Sequence, residues 1–164
     1  MKVLSWNVNA RTRLMRRQLD AVRSRHPDVV TLQEITAATR AGWHSGLAES
    51  GLGWGLDSLG VTAGAVDVRG PRRYGLLVAA RFPLAGLAMQ ARLPWPERFF
   101  GVHVQAPMGR VDVFTAHVPP GSSNGWIKVE TFEGITNRWL VRPVFHASSP
   151  VTSTRRRLRR RTAK

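Results

Sequence analysis

The sequence predicts an α/β fold, and two features carry that expectation. Residues 2–8 alternate like a strand, residues 11–25 repeat like a helix, and Val29-Val30-Thr31-Leu32 is a short apolar strand, with short links between them. A strand, helix, strand order of this kind pairs the two strands in parallel. The middle of the chain then offers a run of further strand candidates interleaved with few helical stretches.

Each element has its own signal. Lys2-Val3-Leu4-Ser5-Trp6-Asn7-Val8 alternates apolar and polar residues. Leu14, Leu19 and Val22 fall at roughly helical spacing between arginines, which predicts an amphipathic helix with a basic outer face. Pro27-Asp28 restarts the chain before the second strand. Beyond Glu34 a short helix is expected near 38–50, ended by Gly51, Gly53 and Gly55. Strand candidates follow at 61–68, 74–80, 84–90, 98–106 and 110–116. Pro107-Met108-Gly109 joins the last two as a hairpin. Pro119-Pro120-Gly121 and Asn124-Gly125 mark a loop, and 126–140 reads as a helix. From Val141 onward no period remains, and the arginine-rich end predicts a basic, disordered tail.

The 164 residues suit one domain, and 43% apolar residues are enough for a core. The absence of cysteine excludes disulfides, thiolate zinc sites and a cysteine nucleophile. No apolar run approaches the ~20 residues of a membrane-spanning helix, and mean hydropathy is −0.20. The start of the chain turns polar too soon for a secretory signal. A cytoplasmic protein with no membrane partner is the expectation.

The net charge is +15, and residues 155–164 supply seven of those positive charges, leaving +8 for the rest. A body this basic favours a polyanion such as nucleic acid. A GC-rich coding sequence, which favours arginine, explains the same excess.

Three residues stand where chemistry is expected. Asn7 closes the first strand and Glu34 the second, so parallel pairing brings them to one rim of the sheet, where open α/β sheets bind ligands. A carboxylate and a carboxamide offer hard oxygen ligands suited to Mg²⁺ or Mn²⁺. An ordinary strand-end asparagine and a solvated glutamate account for the same spacing. His117 follows a strand and opens a Pro/Gly loop, where it would donate to a phosphate oxygen, protonate a leaving group or simply brace the loop. His103 alternates with apolar residues inside a strand and reads as structural. His26 precedes Pro27 and reads as a surface residue.

These residues also form a recognisable pattern. Leu4-Ser5-Trp6-Asn7-Val8-Asn9 followed by Pro27-Asp28-Val29-Val30-Thr31-Leu32-Gln33-Glu34 resembles the endonuclease/exonuclease/phosphatase superfamily. That group includes exonuclease III, abasic-site endonucleases, pancreatic deoxyribonuclease, inositol-polyphosphate phosphatases and neutral sphingomyelinases. Tyr74-Gly75-Leu76-Leu77-Val78-Ala79-Ala80-Arg81-Phe82-Pro83-Leu84 is similar to the family's G-v-a-i-l-S-r-x-P strand pair. Val111-Asp112-Val113-Phe114-Thr115-Ala116-His117-Val118-Pro119 is similar to its v-n-x-H-l-P strand. The resemblance runs from residue 2 to about residue 140.

The resemblance implies an incomplete four-layer α/β sandwich, with two mixed sheets face to face and helices outside. It implies a metal-dependent phosphodiesterase in which Glu34 is the principal metal ligand and Asn7 holds the metal directly or through water. Arg98 would meet the substrate phosphate, and His117 sits where deoxyribonuclease-like members carry a catalytic histidine. Tyr74, Arg69, Arg72 and Arg73 would face substrate or solvent. The substrate would be a phosphodiester, with DNA and RNA among the choices.

The sequence lacks two motifs that the resemblance requires, a G-D-x-N strand end and a later S-D-H. Little or no activity is therefore expected of this polypeptide. Residues 147–155, Ala-Ser-Ser-Pro-Val-Thr-Ser-Thr-Arg, are compatible in a shifted reading frame with codons for a G-D-F-N segment. The domain is accordingly read as residues 1–140, with 141–164 as a tail out of frame. A non-catalytic basic fragment that binds nucleic acid is the alternative, and a poorly folding product with open sheet edges is a third reading.

Overall fold

Parallel pairing at the start of the chain is the organising feature of the computed structural model, which describes residues 1–62, 69–88 and 92–140. Strand β1 (Val3–Asn7) leads through a single 3₁₀ turn into helix α1 (Met15–Arg25) and then strand β2 (Val29–Ile35). The two strands run parallel with Val3 opposite Val29 and Asn7 opposite Gln33. Helix α1 stops because His26 turns into the left-handed region (φ 46°) and Pro27 cannot continue it. His26 is exposed there, as its sequence position suggests.

Helix α2 (Ala37–Glu49) starts immediately after β2. Thr36 caps it, accepting from the Thr39 backbone N–H at 3.3 Å while Thr39 Oγ1 accepts from the Thr36 N–H at 2.9 Å. Replacing Thr36 with alanine is expected to cost about 1 kcal/mol, read as a lower urea midpoint with an unchanged slope.

Some elements escaped the sequence, among them the single helical turn at Gly121–Asn124, where a loop was expected. Strand β3 (Trp54–Asp57) and the single-turn helix α3 (Ser58–Val61) lie where glycines marked only a break. Gly53 and Gly55 hide β3, since glycine disfavours strands. The strand forms because it pairs antiparallel with β4 (Gly75–Ala80). Of the expected strand 61–68, Val61 ends α3 instead, and residues 63–68 lie outside the described residues. Asp57 settles this corner. Its carboxylate is 2% exposed and accepts from Arg40 Nε at 2.7 Å, His44 Nε2 at 2.8 Å and the Gly60 N–H at 2.7 Å. Burial raises its pKa, but those hydrogen bonds outweigh burial and hold it below 3.8.

Strand β5 (Leu84–Gly86) is shorter than the expected 84–90, whose last two residues lie outside the described part. Arg98 ends a 3₁₀ turn, and strand β6 begins one residue later than expected (Phe99–Ala106). Strand β7 (Gly109–Ala116) follows, with Gly109 in the turn at φ 116°. The single-turn helix α4 (Gly121–Asn124) and helix α5 (Ile127–Leu140) complete the described chain. The tail from residue 141 lies outside it.

The strands form a mixed sheet in the order β1-β2-β4-β3 and an antiparallel sheet in the order β5-β6-β7. Alternation along β2 and β4 sorts their side chains into two layers. Val30, Leu32, Leu77 and Ala79 pack with Val22, Trp43 and Leu47 under helices α1 and α2. Val29, Leu76, Val78 and Ala80 pack against Phe100, Val102, Val104 and Val113 between the sheets. Buried on both faces, β4 is apolar throughout, and β2 is apolar except at Thr31, Gln33 and Glu34. His103 lies outside this interior, its Nδ1 2.5 Å from Asp112 Oδ1 on β7, a cross-strand pair in keeping with a structural role. Among the described residues no helix is long and apolar enough to cross a membrane.

Candidate active site

The site grows from an irregularity in β2. The register against β4 shifts between Gln33 and Ile35, so Glu34 is the extra residue of a bulge. Its backbone is left-handed, φ 62°, a conformation that a non-glycine residue adopts at a cost of about 1–3 kcal/mol. The loop after β1 secures it, with the Val8 N–H donating to Gln33 O at 3.0 Å and the Ala10 N–H to Glu34 O at 3.2 Å. The bulge brings the carboxylate, 17% exposed, to the lining of a cavity at the strand rim.

Asn7 reaches it from β1. The Asn9 N–H can only donate, and it lies 2.9 Å from Asn7 Oδ1, so the Asn7 oxygen faces Asn9. Asn7 Nδ2 is left to donate to Glu34 Oε1 at 2.9 Å. In this arrangement Asn7 orients the carboxylate, and its amide oxygen is engaged elsewhere.

Arg98 and His117 come from the second sheet. The His117 N–H donates to Arg98 O at 2.9 Å, which ties the end of β7 to the start of β6. Arg98 Nη1 lies 2.9 Å from His117 Nδ1. A guanidinium only donates, so His117 Nδ1 is the acceptor and the neutral ring carries its proton on Nε2. That nitrogen lies 3.2 Å from Glu34 Oε1. Burial lowers the His117 pKa below 6.5, the Arg98 charge lowers it further, and Glu34 pulls the other way. Burial also lowers the Arg98 pKa, offset in part by Glu97 and Glu34, but an arginine stays charged.

His117 is therefore expected to titrate below 6.5 in a proton NMR series. The neutral form is favoured by folding, so its contribution to stability is complete above the unfolded pKa and fades as pH falls below it. A titration at or above the ordinary value would contradict the Arg98 contact.

The cavity holds about 550 Å³, and Glu34, Arg98 and His117 share its lining with Tyr74 and Trp95. The Arg98 guanidinium carbon lies 4.7 Å from the Trp95 ring centre and 5.5 Å from that of Tyr74. Ser123 and Asn124 of α4 also line it. Tyr74 thus faces the cavity. Arg72 instead pairs with the fully buried Glu97, Arg73 covers the Tyr74 ring at 4.7 Å, and Arg69 is exposed. Sequence reasoning passed over Trp95, whose signal was an aromatic residue between Pro94 and Pro96. Nothing in the loop composition distinguished Ser123 or Asn124.

The model of the Endonuclease/Exonuclease/phosphatase family matches residues 4–163. The chain belongs to the endonuclease/exonuclease/phosphatase family.

Solved structures agree on the fold. An endonuclease/exonuclease/phosphatase from Beutenbergia cavernae DSM 12333 is similar, with 20% identity, a TM-score of 0.62, and coverage of 84% of this chain and 43% of that one. A humanized TDP2 of D. rerio carrying 14 mutations is similar too, with 15% identity, a TM-score of 0.62, and coverage of 87% of this chain and 61% of that one. The chain therefore spans less than two thirds of either neighbour. No curated protein matches. Within the family fold, the rim cluster is a carboxylate, a charged guanidinium and a neutral imidazole N–H converging on one cavity. Such a set can hold an oxyanion beside a cation.

Proposed function

We propose that this chain carries a divalent-metal and phosphate site of nuclease-like phosphodiesterase type. The observation that carries the reading is the meeting of Glu34, Asn7, His117 and Arg98 at one rim. The donor set fits a hard cation of the Mg²⁺ or Mn²⁺ kind. Mg²⁺ is bound by one or two protein carboxylates and keeps several waters and substrate oxygens, and Glu34 is the acid in this cavity. Glu34 would hold the ion, with Asn7 orienting it and reaching the ion through water. A bound cation would supply Lewis-acid stabilisation of charge on the phosphoryl oxygens. Arg98 would neutralise a phosphate oxygen, and the His117 Nε2–H, 3.2 Å from Glu34 Oε1, would be shared between that carboxylate and a phosphate oxygen.

The neighbours' family supports phosphoester chemistry, and the surface favours a polyanion. Arg11, Arg13, Arg16 and Arg17 are all exposed, and the first of them follows the loop bonded to Glu34. With G-D-x-N and S-D-H absent from the sequence, we take turnover by this polypeptide to be negligible. That leaves the metal-binding phosphoesterase reading and the non-catalytic nucleic-acid-binding reading separable by experiment. The domain division at residue 140 and the shifted frame rest on the motifs, since the family match itself extends to residue 163.

Two measurements test this. A labelled oligonucleotide should bind with an affinity that falls with salt, by a slope of about −0.7 to −0.9 per phosphate contact, without cleavage in Mg²⁺. The DNA beyond codon 140 should encode G-D-x-N and S-D-H in another frame, and the chain with its frame restored should cleave in Mg²⁺ but not in EDTA. Cleavage that survives EDTA would overturn the metal reading. DNA lacking both motifs would overturn the shifted frame.

A further inference from the structure

The rim cluster is divided between two sheets. Glu34 and Asn7 belong to β2 and β1, while Arg98 and His117 flank β6 and β7. A cation at Glu34 and a phosphate at Arg98 and His117 can help one another only if the gap between the rims is held constant. Apolar packing alone sets that gap without directional preference, because hydrophobic burial is non-directional. The layer between the sheets is mostly apolar, built around Val29, Leu76, Val78, Phe100 and Val102.

Two polar contacts join the sheets here: His117 Nε2 meets Glu34 Oε1 at 3.2 Å at the rim itself, and a buried one lies beneath it. Gln33 Nε2 donates to Thr115 Oγ1 at 3.1 Å, joining the residue before Glu34 to the residue two before His117. Gln33 is 9% exposed and Thr115 5%. The same nitrogen lies 3.1 Å from Ser5 Oγ and 3.3 Å from Thr31 Oγ1, so the amide is braced from β1 and β2 as it reaches β7. A hydrogen bond has a set length and direction, and a buried one is strengthened by its low-dielectric surroundings.

We propose that Gln33 and Thr115 are positioning residues that set the gap between the cation half and the phosphate half of the site. They thereby set how strongly one ligand promotes binding of the other. The inference rests on the metal and phosphate reading above. Neither residue touches the ligands in this account; both act through the separation of Glu34 from Arg98 and His117.

The test measures Mn²⁺ affinity by water-proton relaxation, alone and with saturating diethyl phosphate, a phosphodiester that cannot be confused with a polyanion. Wild type should bind Mn²⁺ about fivefold or more tightly with the diester present, the lower end of ordinary coupling between sites. Thr115→Val keeps the shape and removes the hydroxyl. It should bind Mn²⁺ alone within about twofold of wild type yet lose the coupling. Gln33→Met should behave the same way and serves if Thr115→Val fails to fold. Thr115→Ser should retain the coupling.

Coupling that persists in both variants would overturn the proposal. So would a loss of Mn²⁺ affinity itself that tracks a lower melting temperature, which marks a purely structural role. Wild type that binds Mn²⁺ without coupling would overturn this proposal and leave the metal reading standing. Wild type that binds no Mn²⁺ would overturn both.

Discussion

Replacing Glu34 with glutamine should lower Mn²⁺ affinity by roughly a hundredfold, the upper end of what changes around a metal site cost. The reason is the poverty of the site. Glu34 is the acid lining the cavity, and among the described residues no three His, Cys, Asp or Glu side chains converge to hold an ion. A hard cation binds anionic oxygen, and glutamine offers only a neutral carbonyl. The same change leaves the bulge in place, so the fold should survive. Asn7→Ala should cost less, about tenfold, because Asn7 orients the carboxylate through its 2.9 Å hydrogen bond. Titration calorimetry of the three proteins is the check. Equal affinities in wild type and Glu34→Gln would remove Glu34 from the role.

Glu97→Ala should be the most damaging change to stability near the site, costing about 3 kcal/mol, at the low end for breaking a buried ion pair. Glu97 is fully buried, and Arg72 grips both of its oxygens, Nε at 3.1 Å and Nη2 at 2.8 Å. Removing the carboxylate leaves the guanidinium facing a hole. Arg72 is 30% exposed, so water recovers part of the loss. For a chain of this size the melting temperature should fall by roughly 6–12 °C. Glu97→Gln keeps the shape and should cost less. A shift below about 2 °C for Glu97→Ala would show the pair to be dispensable. Because Arg98 adjoins Glu97, the same variant should also loosen the Arg98 contact with His117, visible as a His117 titration nearer 6.5.

The sequence by itself determined a good deal. The strand, helix, strand start was legible because apolar residues repeat with the periods of strand and helix, and because Pro27 and Gly51 break the chain where elements end. The strands at 74–80 and 110–116 and the hairpin at Pro107-Met108-Gly109 were legible for the same reason. Asn7, Glu34 and His117 could be singled out because each lies at a strand end, and parallel pairing alone brings the first two together. Strand β3 was not legible, since Gly55 within it and Gly53 just before it carry no strand preference and its partner β4 supplies what local preference lacks.

What only the tertiary structure decided is how the strand ends are aimed. Nothing local in Gln33-Glu34-Ile35 announces a bulge or a left-handed glutamate. That conformation exists because β4 fixes the register on either side and the Ala10 N–H takes the displaced carbonyl. The state of His117 is likewise nonlocal. Its proton sits on Nε2 because Arg98, 19 residues earlier, presents a donor to the other nitrogen. Arg72 and Arg98 look alike in sequence, yet one meets the buried Glu97 and the other lines the cavity. Sequence periodicity reports which face of an element is buried. Which charges then meet across the two sheets depends on contacts between residues far apart in the chain, and those are set only when the sheets pack.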